Sequence, residues 1–377
     1  MKTPDIIIRG KANGEGMIVH YQTTRGTDVF GLGVPNISAG SDWDLGPTWC
    51  YLVCGENVSL IDTGRFGNFE ALKTLLRSIQ IGLSDIDRVI VTHHHEDHDG
   101  NLADILAEAQ PEIWAHSIYP KMIAYHPHIV DGANHPEMPG SCRLCNMPES
   151  FAARCQPYLK KRSSLSIDVA VDDRRIAPGD ILSFVFTPGH TADSICIILE
   201  DEVIFTGDTL LPDITPQPSL AHAFEVNRRI LPDGYRHKNI VYGLMNYIDS
   251  LRTLASLPTG PFQATFPAHR LFYNSQFNLI NDVSDRARKI IRFHIDRCRD
   301  ILATLKGKPL GIDEIASEYF SPSLLGGTGK YMARSEIRAH VEVMEEAGDI
   351  RWTGANGSLV ECTGSNHYLE LIEAYLK

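Results

Sequence analysis

The sequence predicts an α/β protein: an αββα sandwich followed by a small helix–helix–hairpin domain of the winged-helix type. Three observations carry this. Short β-branched runs separated by Gly, Asn and Asp turns fill the first ninety residues, and the pattern then switches to alternating helix and strand. A second set of strands resumes at residue 181 after an aperiodic stretch, so two β-rich halves are flanked by helices, as two sheets packed face to face require.

Taken in order, "MIVHYQT", "DVFGLGV", "TWCYLVCG" and "NVSLIDTG" read as antiparallel strands. "NFEALKTLLRSIQI" places Leu72, Leu75, Leu76 and Ile79 at a helical period, and "IDRVIVT" follows as a short buried strand. A helix over "NLADILAEA" leads to the strand-like "PEIWAHS". Residues 117–165 then lose periodicity, gain Pro, His, Cys and basic residues, and read as an insertion. Strands return with "ILSFVFTPGH", "SICIILE" and "EVIFTGD", followed by a Pro-rich loop, the helix "MNYIDSLRTLASL" and the strand "FQATFPAH". These elements make one domain over residues 1–281. The remainder, 282–377, reads as a long helix from Asp282 to Leu305, two helices over "GIDEIASEYF" and "RSEIRAHVEVMEEAGDI", and a hairpin "IRWTGANGSLVEC" turning at "GANG".

With 377 residues, 43% of them apolar, the chain can bury a sizeable core. The opening residues show no charged segment leading into an apolar one, and no run approaches the roughly 18 apolar residues that span a bilayer. A cytoplasmic protein without a membrane partner is expected, its eight cysteines reduced. A net charge of −12 disfavours nucleic acid as a partner.

The chemistry concentrates in "VTHHHEDHDG", directly behind the apolar run Val89, Ile90, Val91. In an extended segment residues two apart point the same way, so His93 and His95 can grip one ion together. Asp97 and His98 fall where the chain turns into the next helix and can face a second ion. Three more donors each follow an apolar strand: His190 in "FTPGHTADS", Asp208 in "FTGDTL" and His269 in "FPAHR". Imidazole with carboxylate suits Zn²⁺, and also Mn²⁺ or Fe²⁺. A lone histidine is more often a surface or satisfied core residue, but this combination of strand-end donors overrides that reading. His94 and Asp99 have the opposite parity and are left out. Asp62, at the end of "SLIDTG", is expected to orient a ligand or a bound water.

With "LIDTG", "THHHEDH", "TPGHT", "FTGD" and "PAH" in place, residues 45–275 resemble the metallo-β-lactamase superfamily. The resemblance implies an αββα fold with the site at the edge of the sandwich. It implies His93, His95 and His190 on one metal, Asp97, His98 and His269 on the other, and Asp208 bridging. One departure is "PAH" where the family commonly has "PGH". The bridging aspartate resembles glyoxalase II-like and thioesterase-like members rather than true β-lactamases. The helical tail is similar to the subgroup of lactamase-like endoribonucleases and acyl thioesterases.

The expected activity is therefore hydrolysis by a metal-bridging hydroxide attacking an acyl carbon, with Asp97 and Asp62 in the catalytic apparatus. The leading substrate is a thioester, acyl-CoA or similar, followed by small esters and lactones, since a thiolate leaves without a protonating acid. The alternative is an endoribonuclease on single-stranded RNA. Against it, the second tail helix sets Glu336, Glu342, Glu345 and Glu346 beside Arg334 and Arg338, poor chemistry for a phosphate backbone, so the tail is expected to serve as a lid or a homodimer contact. Two basic groups, Arg154, Lys160, Lys161 and Arg162, and Arg286, Arg288, Lys289, Arg292, Arg297 and Arg299, read as solvated helix faces with Asp285, Asp296 and Asp300 as partners rather than a phosphate site. Thr191 and Ser194 read as helix caps after His190. Cys142, Cys145 and Cys155, near His126, His128 and His135, are a candidate structural Zn²⁺ site. Tyr119, Met122, Tyr125 and Met147 are expected to overhang the active site.

Overall fold

A computed structural model describes residues 2–36, 43–124, 134–135, 138–139, 149–172, 181–257, 262–327, 329–354 and 357–373. The chain opens with β1 (Asp5–Ile8), β2 (Ile18–Gln22), β3 (Asp28–Val34), β4 (Thr48–Cys54) and β5 (Val58–Ile61), joined in that order by antiparallel pairing. Helix α1 (Phe69–Ser78) then carries the chain back over the sheet, so β6 (Arg88–Ile90) joins β5 in parallel. In the same way α2 (Leu102–Glu108) delivers β7 (Glu112–Ala115) parallel to β6.

The expected insertion contains α3 (Tyr119–Ala124), a two-residue ladder β8 (Asn134–His135) with β9 (Met138–Pro139), and α4 (Glu149–Arg162), before β10 (Val169–Ala170) closes the eight-stranded sheet beside β7. Helix α4 escapes a periodicity reading because Pro157 interrupts it and charged residues crowd its last turn. The second sheet takes β11 (Leu182–Phe186), β12 (Ile195–Leu199) and β13 (Val203–Gly207) antiparallel. After the short α5 (Ala223–Asn227) and α6 (Leu244–Ala255), β14 (Ala264–Pro267) returns parallel to β13. Five residues are too few for a helical period, so α5 had no signature. A small ladder follows, β15 (Phe272–Tyr273) with β16 (Gln276–Phe277).

Alternation in these strands builds the layers. Val19, Tyr21, Tyr51, Val53 and Ile61 of the first sheet face Phe184, Ile197, Phe205 and Phe266 of the second in one apolar cluster between the sheets. The opposite face of the first sheet, with Ile18, Leu32, Leu52 and Val89, packs on Leu72, Leu76, Leu102 and Ile105 of α1 and α2. The outer face of the second sheet, with Cys196, Ile198 and Ile204, is covered by α6 and by α7 (Val283–Thr304). The result is the αββα sandwich that the sequence predicts.

Helix α7 is capped by Asp282, whose side chain accepts the Asp285 N–H at 2.9 Å. It is followed by α8 (Ile312–Tyr319), α9 (Gly329–Glu346), the antiparallel pair β17 (Ile350–Thr353) and β18 (Leu359–Cys362), and α10 (Tyr368–Glu373). Gly354 and Gly357 sit at φ +77° and +62°, the left-handed region that explains glycine at both ends of the "GANG" turn. The cluster on the outer face of the second sheet continues through Ile290, Ile291 and Cys298 of α7 into Ile315, Ile337, Val341 and Met344. Among the described residues no helix is long and apolar enough to cross a membrane.

Because Ile290 is fully buried in that continuous cluster, Ile290→Ala is expected to cost about 2–5 kcal/mol, read as a lower denaturant midpoint without loss of cooperativity.

Candidate metal centre

The parallel pairs bring strand ends to one edge. Asp62 follows β5, His93 to His98 follow β6, Asp208 follows β13 and His269 follows β14, while His190 lies on the turn between β11 and β12. Ligand-bearing loops at the carboxyl ends of parallel strands are the general arrangement of α/β sites. Gly189 lets the His190 turn reach this edge: it sits at φ +120°, and a Cβ there would lie 2.3 Å from the Tyr247 backbone nitrogen on α6.

Two sets of donor atoms result. His93 Nε2 and His190 Nε2 stand 3.1 Å and 3.2 Å from His95 Nδ1. Donors bound tetrahedrally at 2.0–2.1 Å lie about 3.3 Å apart, so the triad has the spacing of a zinc-sized ion. Beside it, His269 Nε2 lies 3.2 Å from Asp97 Oδ2, and His98 Nε2 lies 3.8 Å from Asp97 Oδ1. Asp208 stands between the sets, with Oδ2 3.5 Å from His190 Nε2 and Oδ1 3.4 Å and 3.6 Å from His269 and His98. His98 Nε2, His269 Nε2 and Asp208 Oδ1 are buried and have no hydrogen-bond partner, three orphaned polar atoms aimed at one place. Buried polar groups are costly when unpaired, and a cation among them would satisfy all three.

The far nitrogen of four of these imidazoles is engaged elsewhere. His93 Nδ1 lies 3.1 Å from Thr92 Oγ1, His98 Nδ1 2.8 Å from Asp62 Oδ2, His190 Nδ1 2.8 Å from the Gln217 carbonyl, and His269 Nδ1 3.2 Å from the Pro47 carbonyl. Such partners fix tautomer and ring orientation, leaving the other nitrogen free for an ion. Asp62 sits behind the donors: it accepts the Thr92 N–H and hydroxyl, each at 2.8 Å, and turns Oδ2 toward His98. Its φ of +58°, unusual for a residue other than glycine, puts its carboxylate there. Asn36 donates to Asp97 at 2.8 Å, a support with no signature in the sequence.

The two sets differ electrostatically. Burial and neighbouring imidazoles push His93 and His95 well below the ordinary imidazole range, and burial lowers His190 against the pull of Asp208. Burial opposes charge on His98 as well, but Asp208, Asp97 and Asp62 outweigh it and raise it well above that range. His269 is raised against burial by Asp208 and Asp97. Burial would raise both carboxyls, yet His98 and His269 hold Asp97 well below the usual carboxylate range and His269 and His98 lower Asp208. The carboxylates thus favour positive charge on these two imidazoles.

His94 and Asp99 face away from the donors. His94 Nδ1 lies 2.6 Å from Asp193 Oδ1. Asp99 accepts hydrogen bonds from Tyr119 at 2.9 Å, from Tyr158, and from Arg162 at 2.8 Å. Arg162 also donates to the His94 carbonyl at 2.6 Å. This corrects the reading of Arg162 as part of a solvated basic face. It is buried and clamps the histidine loop onto α4, and Tyr119 belongs to the same clamp. Lys161 does sit at the surface, paired with Asp104 at 2.7 Å.

The second basic group is likewise divided. Lys289 and Arg299 pair with Asp285 and Asp296 at 2.6 Å each, whereas Arg286 donates to the Leu211 and Ile214 carbonyls and Arg297 is buried against Glu336. Thr191 and Ser194 cap no helix, because the chain enters β12 at once. Thr191 Oγ1 donates to Asp193 at 2.8 Å and lies 2.7 Å from Ser194 Oγ, closing a tight turn. A separate His/Glu group, His294, Glu336 and His340, has its carboxylate neutralised by Arg297 and its imidazoles paired at 2.9 Å. Cys142, Cys145, His126, His128, Tyr125 and Met147 lie outside the described residues, as does the side chain of His135. Cys155 is buried on α4 beside Tyr158 and Leu159.

A fold and a strand-end cluster of this kind define a class, and sequence comparison identifies it. Residues 43–265 match the model of the metallo-beta-lactamase superfamily, and the chain belongs to that superfamily of metal-dependent hydrolases. It is 27% identical over 346 residues, 87% of this chain and 96% of the other, to the probable metallo-hydrolase YqjP of Bacillus subtilis. It is 29% identical over 163 residues to the thioesterase pkgB of Emericella nidulans, matching 43% of this chain and 35% of that one. A metallo-beta-lactamase family protein of Thermus thermophilus superposes with a TM-score of 0.65 at 21% identity, covering 89% of this chain and 98% of the other, and shares the fold.

Two outcomes follow from this geometry. Metal binding to the His93/His95/His190 set should release almost no protons near neutral pH, whereas filling the Asp97/His98/His269 set should displace protons from His98 and His269 and weaken as pH falls. Calorimetric titration in buffers of different ionisation heat reads both steps. Arg162→Met should leave Asp99 buried without a counter-charge and cost about 3–5 kcal/mol in denaturant unfolding.

Proposed function

We propose that this chain is a dinuclear hydrolase of thioesters, acyl-CoA or similar, with small esters and lactones as the nearest other substrates, and that zinc is its metal. The observation that carries the reading is the division of Asp208, one oxygen toward His190 and the other toward His98 and His269. A carboxylate so placed suits two ions held side by side, with His93, His95 and His190 on one and Asp97, His98 and His269 on the other. Two divalent cations there would lower the pKa of water toward neutrality and stabilise negative charge on a substrate oxygen.

The chain's own residues set the stage. Asp62 holds His98 by its Nδ1, and Asn36 and Thr48, at 2.8 Å and 3.4 Å, hold Asp97 Oδ2. Donors fixed in this way need no reorganisation as charge develops. The nitrogen-rich set at tetrahedral spacing favours zinc over harder cations. The thioester assignment draws on the relative named as a thioesterase and on chemistry, because a thiolate departs without a proton donor. The carboxylates that α9 leaves exposed, Glu345 and Glu346, do not suit a phosphate backbone.

Free thiol released from a panel of acyl-CoA thioesters by the zinc-loaded protein tests this reading, with His95→Ala as the blank. Turnover abolished in the variant is expected. No release from any member of the panel would remove the thioester and pass the assignment to lactones.

A further inference from the structure

The C-terminal helices touch the sandwich through more than apolar surface, and two polar contacts lead directly to the metal centre. On α9, Glu342 is nearly buried, and its Oε2 accepts the Ala221 N–H at 2.6 Å while Oε1 faces His222 Nδ1. Two residues back, Ser219 fixes Gly189, donating N–H and Oγ–H to the Gly189 carbonyl at 2.6 Å and 2.7 Å, and its Oγ accepts the Gly243 N–H at 3.1 Å. Two residues further, the Gln217 carbonyl accepts from His190 Nδ1. Glu342 thus anchors a six-residue segment, 217–222, whose other end orients one histidine of the first donor set.

The second contact is built alike on the other side. Between α8 and α9 the Leu324 carbonyl accepts Trp43 Nε1–H at 2.8 Å, and the indole lies against the Phe320 ring at 5.9 Å. Gly329 permits this approach, since a Cβ there would come within 2.8 Å of Trp43 Nε1. Next to Trp43, Asp44 accepts from Tyr273 at 2.6 Å and from Arg270 through its carbonyl at 2.5 Å, and the Pro47 carbonyl meets His269 Nδ1. One C-terminal unit therefore braces both carbonyls, one behind each donor set.

The structure assigns Glu342 and Trp43 as positioning residues of the metal centre, acting through Gln217 and Pro47 on His190 and His269. This rests on those two histidines being ligands. A contact serving stability alone would change unfolding but not the affinity or geometry of the metal sites.

Co²⁺ is the probe, titrated into the metal-free full-length protein with chelator competition and visible absorption as readouts. Glu342→Ala is expected to weaken one Co²⁺ equivalent by up to about tenfold, the lower end of the effect of losing a ligand's direct partner, and to alter its absorption bands. Glu342→Gln keeps an oxygen for the Ala221 N–H and should restore most of that affinity. Trp43→Phe keeps the ring, removes the N–H and should weaken the other equivalent. Wild-type affinity and spectrum in Glu342→Ala and Trp43→Phe, whatever their melting temperatures, would overturn the assignment. His190→Ala and His269→Ala separate the two levels: if neither loses an equivalent, the ligand reading itself falls, and the brace with it.

Discussion

Asp208 occupies the one position on which the rest of the site depends. Its carboxylate is buried among imidazoles from both sheets, and its two oxygens face different sets of them. Burying a carboxylate costs several kcal/mol unless charge and hydrogen bonds answer it. Here the answer comes from His269 and His98, whose imidazoles the carboxylates push upward and which in turn hold Asp208 and Asp97 below the usual carboxylate range. A cation held by Asp97, His98 and His269 would take over that neutralisation, whereas one held by His93, His95 and His190 would meet imidazoles whose protonation burial already disfavours.

That constraint dictates the sandwich. Donors from β6, β13, β14 and the β11–β12 turn can converge only where the two sheets share an edge, and the switch from antiparallel to parallel pairing at β5–β6 and at β13–β14 places strand ends there. Behind the donors each supporting group carries a different physical load. Asp62 supplies charge to His98, the backbone carbonyls of Gln217 and Pro47 fix tautomers, and the Arg162–Asp99 pair pins the loop itself. The last of these is an ion pair in a dry environment, so it holds the loop only because the tyrosines share Asp99's remaining hydrogen-bonding capacity.

How much of this was legible in the sequence follows from range. The candidate donors that converge in the fold could be picked out because each sits at a strand end beside a turn, a local pattern that survives in "THHHEDH", "TPGHT", "FTGD" and "PAH". The sandwich was legible for the same reason, since strand alternation and the Leu72, Leu75, Leu76 helix period are local. Arg162 was misread because a basic helix end looks the same whether it meets solvent or a buried Asp99, 63 residues away in sequence. Thr191 and Ser194 were misread because a hydroxyl after a turn signals a cap equally well before a helix and before β12. Asn36, Trp43 and Glu342 carried no signal at all: their partners are distant, and each residue type is ordinary at its position.

The acidic character of α9 illustrates the last point. From sequence, Glu336 and Glu342 count simply as charges that repel a polyanion. In the fold they are turned inward, Glu336 against Arg297 of α7 and Glu342 against the N–H of Ala221 and the ring of His222. A buried carboxylate is a poor choice for gluing two helical layers together, since apolar residues of the same volume would do so at lower cost. Its value is direction. A carboxylate that accepts one backbone N–H has a preferred distance and angle, a directionality that the apolar contacts of Ile337 and Val341 lack. Glu342 is therefore better explained by what it points at than by the stability it adds, and what it points at, through the segment that begins at Gln217, is a histidine of the candidate metal centre.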